Sequence, residues 1–150
     1  MAAYIGFEHF VEFLSQGKLN LSLPADGGDQ LKIALIAAAD APVAATDEDY
    51  ADLTPVDLTN IVSDEVTITG SSQTGGTFTL TLDTFSIEAS SGTIGPFRYI
   101  VLYDSTPALP ANQYLLCYFD YGEDLTLQSG ESLSLDWDVD GLLTIGACPA

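Results

Sequence analysis

The stretch Leu133-Ser-Leu-Asp-Trp-Asp-Val-Asp-Gly-Leu-Leu-Thr-Ile145 supports two incompatible readings, and the choice between them sets the fold. Asp136, Asp138, Asp140 and Gly141 match the opening of a calcium loop, which carries acids at positions 1, 3 and 5, Gly at 6 and a bidentate Glu at 12. Position 12 here is Ala147, which has no ligand oxygen, and position 9 is Thr144, inside an apolar run. No helical pattern enters or leaves the loop. Read as strand, the same residues sort cleanly. Leu133, Leu135, Trp137 and Val139 fall on one face, and Ser132, Ser134, Asp136 and Asp138 on the other, by the period of two. Asp140-Gly141 between apolar runs is a hairpin signal, since a type I′ turn needs positive φ at both central residues. The sequence therefore predicts a hairpin, with Asp136, Asp138 and Asp140 kept as weak candidates for a calcium site of strand-face carboxylates.

The rest of the chain carries the same signature. Strand-length apolar runs recur at Leu31-Lys-Ile-Ala-Leu-Ile36, Val66-Thr-Ile-Thr69, Thr77-Phe-Thr-Leu-Thr-Leu82, Tyr114-Leu-Leu-Cys-Tyr-Phe119 and Leu125-Thr-Leu127. Phe97-Arg-Tyr-Ile-Val-Leu-Tyr103 is apolar at both parities, as a central strand covered on both sides must be. After Leu82 the apolar parity shifts to Phe85 and Ile87, which predicts a bulge or break near Asp83. Gly70-Ser-Ser-Gln-Thr-Gly-Gly76 reads as a flexible loop, Gln128-Ser-Gly-Glu131 as a turn, and Leu142 to Ile145 as the last strand.

Only the start of the chain has helical period. Tyr4, Phe7, Phe10, Val11 and Leu14 share a stripe over residues 4–16, with Glu8, Glu12 and Gln16 opposite and Gly17 as the stop. This aromatic stripe has to be covered by the domain's own sheet or by another subunit. Residues 40–63 are irregular and acidic. Within them Thr46-Asp-Glu-Asp49 resembles a capping box for a short helix through about Leu53, and Thr54-Pro55 can open a further turn. The predicted architecture is one domain, 1–150, mainly β: an N-terminal helical segment, 1–17, then an antiparallel β-sandwich of jelly-roll or Greek-key kind, 18–150.

Composition narrows the function classes. The chain has 22 Asp and Glu against Lys18, Lys32 and Arg98, a net charge of −19. Binding nucleic acid through phosphates needs clustered Lys and Arg, and an anionic membrane disfavours the same surface, so neither is an expected partner. No segment reaches the roughly 18 apolar residues of a membrane span. The first residues lack the basic n-region of a signal peptide, which makes that secretion route an unexpected one. Cys117 reads as a buried thiol, with a Cys117–Cys148 bridge as the alternative.

Candidates for chemistry are sparse. His9 is the single histidine and lies on the N-terminal stripe, and no Gly-x-Ser-x-Gly elbow accompanies it. Asp47, Glu48, Asp49 and Asp52 suit either calcium or a helix N-terminus. Gly75-Gly76 precedes a strand, so it is not a phosphate cradle. Arg98, the only arginine, sits in the most apolar run and needs a carboxylate, inside the domain or across an interface. With Tyr4, Phe7 and Phe10 it is the interface candidate. No enzyme activity and no cofactor are expected. A glycan site would need Tyr103, Tyr114 and Tyr121 on one open face.

The order of segments resembles a family of small virion structural proteins of tailed bacteriophages. The likeness runs through Phe7-Glu-His-Phe-Val-Glu-Phe-Leu14, Leu31-Lys-Ile-Ala-Leu-Ile36, Tyr50-Ala-Asp-Leu53 with Thr59-Asn60, and Gly75-Gly76. It is better in the second half, at Arg98-Tyr-Ile-Val-Leu-Tyr-Asp-Ser-Thr106, Leu115-Leu-Cys-Tyr-Phe-Asp-Tyr-Gly122, Gly130-Glu-Ser-Leu-Ser-Leu-Asp-Trp-Asp138 and Gly141-Leu-Leu-Thr-Ile145. The resemblance implies a capsid cement or decoration protein, often trimeric, on the outer surface of the virion with the major capsid protein as partner. Some related β-proteins belong instead to the neck, tail or baseplate. The resemblance carries no catalytic residues. We expect the N-terminal helix and residues 40–63 to reach the shell or a sister subunit, so that removing residues 1–16 would abolish particle binding and leave a folded β-domain.

Overall fold

The structure, a computed structural model, describes residues 3–107, 109–137 and 143–145. Its elements are β1 (Ala3–Gly6), α1 (Phe10–Ser15), β2 (Leu31–Ile36), β3 (Glu65–Val66), β4 (Ile68–Thr74), β5 (Thr77–Leu82), β6 (Phe85–Glu88), β7 (Ile94–Asp104), β8 (Leu115–Leu127), β9 (Ser132–Leu135) and β10 (Leu143–Ile145). All strand pairing is antiparallel and forms a five-stranded sheet, β1-β8-β7-β2-β3, a three-stranded sheet, β10-β5-β4, and the pair β6-β9. The protein is mainly β with one short helix, as the sequence predicts.

Alternation along the central strands builds the layers. Leu31, Ile33 and Leu35 of β2, with Ile100 and Leu102 of β7, face one side of the large sheet. There they meet Ile68, Leu80 and Leu82 of β4 and β5, Phe85 and Ile87 of β6, and Phe10 and Phe13 of α1. This is the sandwich core. The opposite parity, Ala34, Ile36, Val101 and Tyr103, faces the other side and packs with Phe7, Leu115 and Tyr118, against Ala44, Tyr50 and Leu53. The acidic segment is thus a third layer over the back of the sheet. A register shift between Leu102↔Cys117 and Tyr103↔Leu115 makes a bulge at Leu116, so Leu116 and Cys117 both enter the sandwich core.

Several elements differ from the sequence reading. The helix is confined to Phe10–Ser15, because residues 3–6 pair with β8 (Tyr4↔Phe119, Ile5↔Tyr118). A sheet edge offering backbone partners outcompetes a short helix, which is marginal in isolation. The helix stop is as predicted. Lys18 N–H donates to Phe13 O and Gly17 N–H to Leu14 O, with Gly17 at φ 72°, a Schellman arrangement. Residues 70–74 are strand, not loop. They pair with β5 up to Thr74↔Thr77, and the turn shrinks to Gly75-Gly76, both at positive φ. The capping box is Asp49 with Asp52 around the 3-10 turn Tyr50–Asp52, in place of one opened by Thr46. Leu115–Phe119 and Leu125–Leu127 belong to the single strand β8, with Tyr114 just before it in a bridge to Asp49; the register jumps between Phe97↔Leu125 and Tyr99↔Asp120, and Tyr121 to Asp124 bulge outward.

The closing hairpin is described only at its flanks. The described strands flanking it do not pair with each other: β9 pairs with β6 (Leu135↔Phe85) and β10 with β5 (Leu143↔Leu80). The turn at Asp140-Gly141 lies outside the described residues, as do Asp138 and Val139. The face assignment stands where it is described, with Trp137 7% exposed and Ser132, Ser134 and Asp136 open to solvent.

Phe7, Phe10 and Phe13 are buried at 4–5% exposure by the chain's own strands. Removing residues 1–16 therefore takes away an edge strand and part of both cores. In urea denaturation, Phe13→Ala is expected to cost about 3–5 kcal/mol. The 1–16 deletion is expected to lose the cooperative transition; a truncated form that unfolds like the intact chain would contradict this.

Candidate functional site

The three cations are all committed within the chain. Arg98, on β7, donates from Nε to Asp120 Oδ1 at 2.7 Å and from Nη2 to Asp120 Oδ2 at 3.0 Å, across the strand pair from β8. Hydrogen bonding to this guanidinium holds the Asp120 carboxyl below its ordinary range, and Gly122 N–H adds a second donor. Lys32 lies 3.1 Å from Asp64 and 3.9 Å from Glu65. Lys18 sits over the rings of Phe13 and Tyr114, at 4.7 and 5.1 Å. Arg98 thus takes its carboxylate partner inside the domain.

The acidic segment uses its carboxylates on its own backbone. Asp47 accepts from Val43 N–H, Asp49 from Ala51 N–H, and Asp52 from the N–H groups of Glu48 and Asp49. These are cap and turn bonds, and they leave fewer lone pairs for a metal. Asp136 is exposed, and its companions Asp138 and Asp140 lie outside the described residues. Among the described residues no group of three or more His, Cys, Asp or Glu side chains converges as a metal site. His9 sits between Glu12 and Glu48, 3.6 Å from each, and stacks on Phe13. Cys117 is fully buried; Cys148, and with it the bridge, lies outside the described residues.

The interface candidates are dispersed. Phe7 and Phe10 belong to opposite sides of the large sheet, Tyr4 is in β1, and Arg98 is on β7. Tyr103, Tyr114 and Tyr121 do not share an open face. Tyr103 is buried against Tyr50, at 4.6 Å between ring centroids, and burial raises its hydroxyl pKa. Tyr114 packs on Phe13 at 4.4 Å, and only Tyr121 is exposed.

Two features escape the sequence reading. The first is an apolar groove of about 350 Å³ between β8 and β9, lined by Ile100, Phe119, Tyr121, Leu133, Leu135 and Trp137. Phe119 and Trp137 meet there at 5.3 Å. Their parity is visible in sequence, but the packing that brings β8 near β9 is not. The second is Asp104, which closes the apolar run of β7 and is 0% exposed. Its Oδ1 accepts from Thr106 N–H at 2.9 Å, and its Oδ2 has no donor. The local signal is Asp104-Ser-Thr106, a sequence suited to an Asx turn.

No family model matches the chain, and neither a curated protein nor a solved structure is significantly similar to it. Among the described residues no helix is long and apolar enough to cross a membrane.

Two outcomes test this account. Calcium titrated to millimolar levels is expected to leave the melting temperature unchanged, because a ligand raises it only by binding the native state. A rise would restore the metal reading. Asp120, held below its ordinary value of 3.8, contributes stability that is present above that value and lost as pH falls through its lower folded pKa. Melting curves of Asp120→Asn are expected to show a smaller acid-side loss than the parent chain; equal losses would mean that the Arg98 pair carries none of it.

Proposed function

We propose that this chain is a non-enzymatic structural protein of a tailed-bacteriophage virion, of the cement or decoration type. It binds the outer surface of the shell, contacts the major capsid protein and stabilises the contacts between capsid subunits. It self-associates, with a trimer as the expected state. The observation that carries this reading is the use made of charge. All three cations are tied up inside the fold, and among the described residues every acid except Asp104 is exposed or half-buried, so the surplus of negative charge faces outward. Such a body is repelled by packed DNA and suited to a solvent-facing shell, where like charge keeps particles apart. The polar clusters serve architecture: cap bonds in the acidic segment and an intrachain Arg98–Asp120 fork. The segment order resembling small virion proteins supports the same reading. Modest contacts repeated over many symmetric copies become avid.

A glycan-binding module is the second reading, favoured by one observation, the groove with Phe119, Tyr121 and Trp137 on its wall. Sugar faces stack on such aromatic walls.

A density map of purified particles separates the outcomes. Cement predicts copies in the hundreds spread over the shell, whereas density confined to the neck, tail or baseplate would overturn it in favour of those roles. Tyr121→Ala is expected to leave shell occupancy within error. A glycan bound by the intact chain and lost in Tyr121→Ala would move the assignment to the second reading.

A further inference from the structure

Among the described residues Asp104 is the one charged side chain in the buried core. The charged group that acts on it is another acid, Asp29, two residues before Leu31, the register partner of Asp104. Asp29 belongs to the loop that runs from Asn20 into β2, and it is fixed from its far side. Asn20 N–H donates to Asp29 Oδ2 at 2.6 Å, and Asp29 N–H donates to Asn20 O at 2.8 Å. Beside the pair, Ser105 N–H donates to Gln30 O at 2.8 Å and Gln30 N–H to Thr106 Oγ1 at 2.6 Å. The neighbours Gln30, Ser105 and Thr106, and the Tyr114 carbonyl that accepts from Asp104 N–H, are uncharged.

Two ionised carboxylates are both acceptors, so they repel at this distance and leave a buried oxygen without a donor. One shared proton removes both faults. It gives Asp104 Oδ2 a hydrogen to donate and reduces two negative charges to one. A divalent cation is the other way to join two carboxylates, but calcium takes six to eight oxygens, and no third acid converges here among the described residues.

We propose that Asp29 and Asp104 form a proton-gated clasp, in which one proton on Asp104, donated to Asp29, ties the 20–29 loop to the end of β7. Its loss sets two anions against each other. Asp104 is fixed by the sheet register Leu31↔Asp104, so the half-buried Asp29 and its loop are what give way. Burial, then the charge of Asp29, push the Asp104 carboxyl up to about 6, with the Thr106 N–H pulling the other way. For a group raised in the folded state, stability is whole below its ordinary value of 3.8 and is lost as pH rises through about 6. The clasp is therefore closed in acid and loosened toward neutral pH.

Carboxyl-carbon NMR and amide hydrogen exchange on the intact chain test it, from about pH 5 to about pH 8, with exchange corrected for its intrinsic pH dependence. The Asp104 resonance is expected to titrate near 6, and protection of the Gln30 and Ser105 amides, whose bonds run between the loop and the end of β7, is expected to fall by roughly tenfold or more across the range. Asp104→Asn, whose amide donates to Asp29 at every pH, is expected to keep that protection flat. Asp29→Asn is expected to return the Asp104 midpoint toward the ordinary carboxylate range. Asp26→Asn, an exposed acid in the same loop, is expected to behave as the parent. An Asp104 midpoint near 3.8 would sink the proposal, as would equal loss of protection in the parent and Asp104→Asn. Calcium that restores protection at the alkaline end only when Asp104 is present would replace the proton by a cation, and so overturn it.

Discussion

Burial of the large sheet on both faces is the constraint from which the rest of the architecture follows. Strands β2 and β7 carry large apolar side chains at both parities, and a sheet made from them cannot leave either side to water. One side is met by β4, β5, β6 and α1, which complete an antiparallel sandwich. The other side needs a cover that the remaining strands do not supply. The irregular stretch around Ala44, Tyr50 and Leu53 provides it, so a segment that looks like a surface loop is structural. Backbone groups in such a layer still need partners. Asp47, Asp49 and Asp52 supply them by capping local N–H groups, and Tyr50 N–H donates to Gln113 O.

Charge obeys a related economy. With few cations, each one is placed where it neutralises an acid or sits against aromatic rings at a strand or loop junction. Among the described residues the remaining carboxylates reach solvent, and their mutual repulsion is tolerated because the apolar layers beneath them are extensive. Asp104 is the exception: an acid carried into the core at the end of the central strand, where desolvation and a second acid both act against its ionised form.

Much of this was legible in the sequence because period-two patterning reports directly on side-chain direction. Leu31–Ile36, Thr77–Leu82 with the break before Phe85, and the double-faced run ending at Tyr103 are found as read. Failures cluster where long-range pairing decides. Residues 4–6 have acceptable helical spacing, but β8 offers them backbone partners, and a local pattern carries no trace of a strand more than a hundred residues away. Ser71 and Ser72 look like loop because they are polar, whereas an edge strand with a solvated face tolerates them. The same blindness hid the groove between β8 and β9 and the meeting of Asp29 with Asp104. Single positions were readable, and their juxtaposition across the fold was not.

The place of β1 has a consequence for how the molecule comes into being. Ala3 pairs with Asp120 and Gly6 with Cys117, while β2 pairs with β7 at Leu31↔Asp104. Strand β1 therefore has no sheet partner until β8, more than a hundred residues later, is made, and until β7 is made β2 has only the two-residue β3 beside it. Until then the Phe7, Phe10 and Phe13 side chains have no core to enter. Closing such distant loops before any contact rewards them places the fold among the slow, non-local β topologies. In that interval the dense negative charge of the chain acts as a solubility device, keeping nascent copies apart while their apolar strands wait for their neighbours.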